Sequence, residues 1–129
     1  SEADCRSLLH ERAEGVIEFR PQMLAPATKQ QILVRVLVNL KRIYVEMRSF
    51  PQGFALTELL LALDPSALNE LRDRGLLAYQ LNDFAVALRD LEAYLRFASS
   101  GNPREEEDSD RAEIWTHVKV LRRRVANLN

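Results

Sequence analysis

Shifted by 34 residues, the middle of the sequence falls on itself without a gap. Lys41 lands on Gly75, Phe50 on Phe84, Gly53 on Ala87, Leu61 on Leu95 and Pro65 on Ser99. Two turn-like triplets, Arg48-Ser49-Phe50 and Asn82-Asp83-Phe84, coincide in the same register. A fixed offset that keeps turns aligned means that one supersecondary unit occurs twice, and a 34-residue unit has room for a helix, a turn and a second helix.

Periodicity on both sides of each turn supports the helices. Ile32, Leu33, Val36, Leu37, Leu40, Ile43, Tyr44 and Met47 recur at threes and fours, which predicts one long amphipathic helix with Thr28 as its cap. After Ser49, with Pro51 admissible in the first turn, Phe54, Leu56, Leu60, Leu61 and Leu63 predict a second helix, stopped by Asp64-Pro65. A third is expected from a Ser66 cap, with Leu68, Leu71, Gly75, Ala78 and Leu81 on one stripe. Phe84, Ala87, Leu88, Leu91, Tyr94, Leu95 and Ala98 define a fourth. A polar, acidic loop is expected over Ser99–Asp110, followed by a final helix from about Arg111 with Ile114, Val118, Leu121 and Val125 on one stripe. Strand signals are absent.

This pattern predicts an all-α fold of two tetratricopeptide-like helical hairpins with flanking N- and C-terminal helices. Residues 1–25 are expected to form a capping helix (Leu8, Leu9, Ala13, Val16 and Ile17 on one stripe) and a proline-containing connector. Residues 26–129 carry the repeats and the C-terminal cap. Caps are needed because two hairpins cannot bury their own end faces. Small residues belong where paired helices cross, and Gly53, Gly75 and Ala87 supply them; Lys41 and Thr57 depart from the pattern.

Ile32–Tyr44, Leu61-Ala62-Leu63-Asp64-Pro65, Arg72-Asp73-Arg74-Gly75-Leu76 and Asp90–Leu95 together resemble the C-terminal region of the Sir-B transglutaminase-like proteins. Those proteins join a papain-like domain to a short tetratricopeptide tail. The resemblance covers roughly residues 23–97 and implies that a catalytic half would precede Ser1. It carries no catalytic residue onto this chain. It also implies a bacterial cytoplasm or a plastid stroma as the setting.

Composition narrows the function classes. Lys and Arg number 18 against 19 Asp and Glu, so no global field draws in nucleic acid or an anionic membrane. No apolar run approaches the ~20 residues that cross a bilayer. Cys5 is the only cysteine, which fits a reducing compartment and allows no internal disulfide. Cys5 and His10, five apart on one helix, point in divergent directions and do not form a nucleophile–base pair. His117 reads as a surface residue. One cysteine and two distant histidines are too few for zinc, and Glu105-Glu106-Glu107-Asp108 lacks the spacing of a calcium loop. The chain is expected to be no enzyme, with no metal and no cofactor.

In stacked helix pairs the first helix of each pair lines the concave face. Arg35, Val38, Asn39, Arg42, Val45, Asn69, Arg72, Asp73, Leu76, Tyr79 and Gln80 are therefore expected in a groove suited to a peptide with acidic and apolar groups. Asn39 resembles part of the carboxylate clamp of chaperone-binding tetratricopeptide domains, but Asn69 and Asp73 stand where cations would be required. The expected function is protein–protein interaction or scaffolding. The alternative is an accessory domain of a transglutaminase-like protein. Nucleic-acid binding through Lys119, Arg122, Arg123 and Arg124 ranks below both, since helix-end cations need no ligand to explain them and interleaved aromatics are lacking.

Overall fold

Five helices in sequence order make up the part of the chain that the computed structural model describes, residues 26–98 and 105–128. They are α1 (Lys29–Glu46), α2 (Phe50–Leu63), α3 (Leu68–Gln80), α4 (Phe84–Ala98) and α5 (Glu105–Leu128). There is no strand among the described residues. The expected N-terminal helix and connector, with Cys5 and His10, lie outside them. The chain divides into two units, Ser1–Val36 and Leu37–Asn129.

In the first unit the start of α1 is fixed by a reciprocal cap. The Gln31 amide donates to Thr28 Oγ1 at 3.1 Å, and the Thr28 amide donates to Gln31 Oε1 at 2.9 Å. Two donors that helix geometry leaves orphaned are thus satisfied.

In the second unit the repeat is visible in the backbone. Arg48 and Asn82, equivalent under the 34-residue shift, are the non-glycine residues with positive φ, 59° and 61°. Each closes a helix in the same way. Ser49 N–H donates to the Tyr44 carbonyl at 2.8 Å, as Asp83 N–H does to Ala78 at 2.9 Å. Arg48 N–H reaches Val45 at 3.0 Å, as Asn82 N–H reaches Tyr79 at 3.1 Å. This is the six-to-one and five-to-two pairing that ends helices with a left-handed residue.

Helix α2 packs on α3, α3 on α4 and α4 on α5. The core sits in the second hairpin and the last helix: Ala78, Ala87, Leu91, Tyr94, Ile114, Val118 and Leu121 are buried together. Gly75 permits the close crossing of α3 and α4, because a Cβ there would come within 2.8 Å of Leu91. At the equivalent positions of the first hairpin the sizes are exchanged, with bulky Lys41 for Gly75 and smaller Thr57 for Leu91. Thr57 is fully buried, and its hydroxyl donates to the Gly53 carbonyl at 2.7 Å, so no polar atom is stranded. Gly53 is less constrained. A Cβ there would lie 3.2 Å from Val45, an exposed side chain that can give way, and its repeat equivalent is already Ala87. Because Gly inside a helix costs about 1 kcal/mol relative to Ala, Gly53→Ala is expected to leave the thermal midpoint unchanged or raise it by a few degrees. A clear fall in a melting curve would contradict this account of the crossing.

Two sequence expectations are corrected. The N-cap of α3 is Ala67, not Ser66, whose amide and hydroxyl both donate to Asp64 Oδ1 instead. The expected Ser99–Asp110 loop is helical from Glu105. A helix start favours an acidic sequence, and Arg111 locks the turn by pairing with Asp108 and donating to the Ala98 carbonyl at 3.3 Å. In the second unit the apolar stripe of α1 is unevenly covered: Leu37 is buried, but Leu40, Ile43 and Met47 are exposed. Periodicity reports that a face is apolar, not that another element lies against it.

Candidate functional site

Helices α1 and α3 of the second unit border an open groove of about 550 Å³. From α1 come Val38, Lys41, Arg42 and Val45; from α3 come Glu70, Asp73, Leu76, Leu77, Tyr79 and Gln80. Phe50, the first residue of α2, and His117 of α5 complete the wall. The side chains follow from helix geometry. Val38, Arg42 and Val45 are spaced by four and three on one face of α1, and Asp73, Leu76 and Gln80 repeat that rule on α3.

The floor is electrostatically closed. Lys41 is 8% exposed, and its Nζ lies 2.5 Å from Glu70 Oε2 and 2.6 Å from Asp73 Oδ2. A buried ammonium is tolerable only with such partners. Asp73 is shared: Arg72 Nε donates to its other oxygen, Oδ1, at 3.1 Å. Arg72 also reaches Asp110 at 3.5 Å. Burial works against the Arg72 charge, but Asp73, Tyr94 and Asp110 outweigh it and hold its pKa above the usual arginine value. Arg72 is therefore a cation tied into the fold.

The rim differs. Arg42 is exposed and has no carboxylate partner among the described residues. Tyr79 forms a tilted pair with Phe84 and an edge-on pair with His117, each at 5.8 Å between ring centroids, which fixes its ring as one wall. Arg48 lies over Phe50 at 5.5 Å from the ring centroid.

Of the residues expected in the groove from sequence, Arg42, Asp73, Tyr79 and Gln80 line it, as do Val38, Val45 and Leu76. Asn39 and Asn69 are exposed and do not line it, Arg72 is occupied by Asp73 and Asp110, and Arg35 is an exposed residue of the first unit. The sequence reading missed Lys41, Phe50, Glu70, Leu77 and His117. The departure of Lys41 from the small-residue pattern was the available signal for the buried ion pairs. His117 is half-buried rather than a surface residue, and a contact from a helix outside the repeat leaves no mark in the repeat register.

The basic cluster of the last helix is divided by the fold. Lys119 and Arg122 lie over Trp115 at 5.5 and 5.1 Å, whereas Arg124 lies over Phe84 at 5.0 Å on another side of the helix. Helix α5 continues to Leu128 and its last turn holds no basic residue. The dipole acts only within the last turn, so it does not account for these cations. Nor are aromatics lacking beside them. No group of three or more metal-ligating side chains occurs among the described residues, and no described helix is long and apolar enough to cross a membrane.

Comparison with known proteins places this geometry in context. The sequence profile of the tetratricopeptide repeat family matches residues 40–117. A UPF0162 protein of Xylella fastidiosa strain Temecula1 is 38% identical over 79 residues, which is 61% of this chain and 28% of that protein. Its counterpart in strain 9a5c is 37% identical over the same length and shares. The chain thus spans little more than a quarter of the relatives it matches. No solved structure matches the chain.

Proposed function

The chain belongs to the tetratricopeptide repeat family, and from that premise we propose that it acts as a scaffold by holding a segment of a partner protein in the groove between α1 and α3. Such repeats generally mediate protein–protein contacts. The observation that carries the reading is the groove itself: Val38, Val45, Phe50, Leu76 and Tyr79 offer apolar wall, and Arg42 stands at the rim with no carboxylate partner among the described residues. An extended or helical segment can bury apolar side chains against such walls while a carboxylate meets the guanidinium. Glu70 and Asp73 do not oppose this, since Lys41 pairs with both and Arg72 with Asp73.

The test is affinity capture from source-cell extract. Val38→Glu and Arg42→Glu, both at exposed positions, are expected to reduce capture by about tenfold or more, a loss of roughly 1.4 kcal/mol or more, while the circular dichroism spectrum stays native. Gln52→Glu, at an exposed position of α2 that does not line the groove, serves as the control. Capture that survives both groove changes would make the groove the inner surface of a scaffold and nothing more.

A second reading is that the module is an accessory part of a longer protein of the transglutaminase-like kind, in a reducing compartment of a bacterial cell. The match to only 28% of each longer bacterial relative supports a longer parent, and the transglutaminase-like kind rests on the sequence resemblance alone. Co-purification of a full-length parent with thiol-dependent activity, altered by Val38→Glu, would favour this reading over an independent adaptor.

A further inference from the structure

The last helix carries a second surface that the groove does not use. From His117 to Asn129 the sequence holds Lys119, Arg122, Arg123 and Arg124 and no acid, in a chain whose net charge is −1. Three of these cations share a flank with Trp115, at helical offsets of four, seven and eight residues. Trp115 is the only tryptophan and is 41% exposed. Its ring is not loose: Lys119 Nζ lies 5.5 Å and Arg122 Cζ 5.1 Å from the centroid. Arg122 is held in turn by Glu92 of α4, to which its Nε donates at 2.9 Å. Lys119 and Arg123 have no carboxylate partner among the described residues. Because Ile114, Val118 and Leu121 are buried on the neighbouring face, the helix cannot rotate to hide this flank.

A solvated charged face requires no large aromatic. Here an exposed indole is flanked by Lys119 and Arg122, and Lys119 and Arg123 have no carboxylate partner among the described residues. Trp and Arg are the residues in which interfaces concentrate their binding energy, and Arg meets carboxylates with two parallel hydrogen bonds. We propose that this flank is a docking surface for an acidic protein segment, with carboxylates meeting Lys119, Arg122 and Arg123 and an apolar side chain seated on Trp115. Charge complementarity selects the occupant. Single-stranded nucleic acid is recognised through several stacking rings in a basic groove, whereas this flank offers one indole on a convex helix of a slightly acidic chain.

Trp115 supplies its own reporter. The chain is titrated with a synthetic glutamate-rich peptide containing leucines but no tryptophan or tyrosine, and in a parallel arm with single-stranded oligodeoxythymidylate. The peptide is expected to shift Trp115 emission to the blue with saturation, and to bind more weakly as salt rises from about 50 to about 500 mM. Lys119→Glu with Arg123→Glu, both at exposed positions, is expected to weaken binding by about tenfold or more, with a native circular dichroism spectrum. Val38→Glu, which alters only the groove, should bind the peptide like the wild type, so failure here and failure of the groove reading are separable. No emission change with the peptide, or an unchanged affinity in the double variant, would overturn the proposal. So would tighter oligonucleotide binding through the same two residues, which would assign the flank to nucleic acid, or equal loss in Val38→Glu, which would assign the peptide to the groove.

Discussion

Gly75→Leu is expected to destabilise the protein by about 3 kcal/mol, the upper end of the range for overpacked cores. Even a single carbon added at this position would stand 2.8 Å from Leu91 Cδ2 and Cγ and 3.3 Å from Asp90 Cβ. Leu91 is fully buried and cannot swing into solvent, so α3 and α4 must separate. Separation would also stretch the Arg74–Asp90 pair that spans the same crossing. Urea denaturation checks the magnitude. Gly75→Ala should fall between the two, at about 1–2 kcal/mol, because the helix propensity gained by Ala offsets part of the clash. A wild-type midpoint for the leucine variant would mean that the two helices do not cross here.

Asp90→Ala is expected to cost a comparable amount, about 3 kcal/mol. Asp90 is 1% exposed and accepts from Arg74 Nε at 2.7 Å, Arg74 Nη2 at 3.1 Å and Arg89 Nε at 3.2 Å. The hydrogen bond to Asp90 raises the Arg74 pKa; burial opposes this, and the charge of Asp90 adds to the rise. Removing the carboxylate leaves a half-buried guanidinium with only the charge of Glu58 to offset its desolvation, and most of the loss comes from that poorly balanced charge. The double change Arg74→Leu with Asp90→Leu should therefore be much milder than Asp90→Ala, since apolar pairs often replace buried ion pairs at little cost. The repeat itself makes the comparison, because the equivalent positions of the first hairpin are Leu40 and Leu56. If the double variant were as unstable as Asp90→Ala, the carboxylate would be needed for something other than balancing Arg74.

The two hairpins were legible because helix-forming signals are local. Threefold and fourfold apolar spacing, turn residues at a constant offset and small residues at crossings act within one unit, and the structure repeats the register down to the positive φ of Arg48 and Asn82. The end of α3 and the start of α4 needed no distant information. The start of α5 did: Arg111 holds that first turn through Asp108 and through the Ala98 carbonyl of the preceding helix.

The sequence by itself determined the all-α class, the 34-residue unit and the helices that carry the candidate groove. Only the tertiary structure decided which apolar faces are covered and which charges are free. Leu37 is buried while Leu40 and Ile43, on the same helix, are exposed. Arg72 and Arg42 look alike as isolated letters, yet one is locked between Asp73 and Asp110 and the other faces solvent at the rim. Lys41, an apparent flaw in the repeat, is neutralised by two acids 29 and 32 residues away. The reason is the same in each case: periodicity is set within a few residues of chain, whereas burial and charge pairing depend on which neighbour the fold brings alongside.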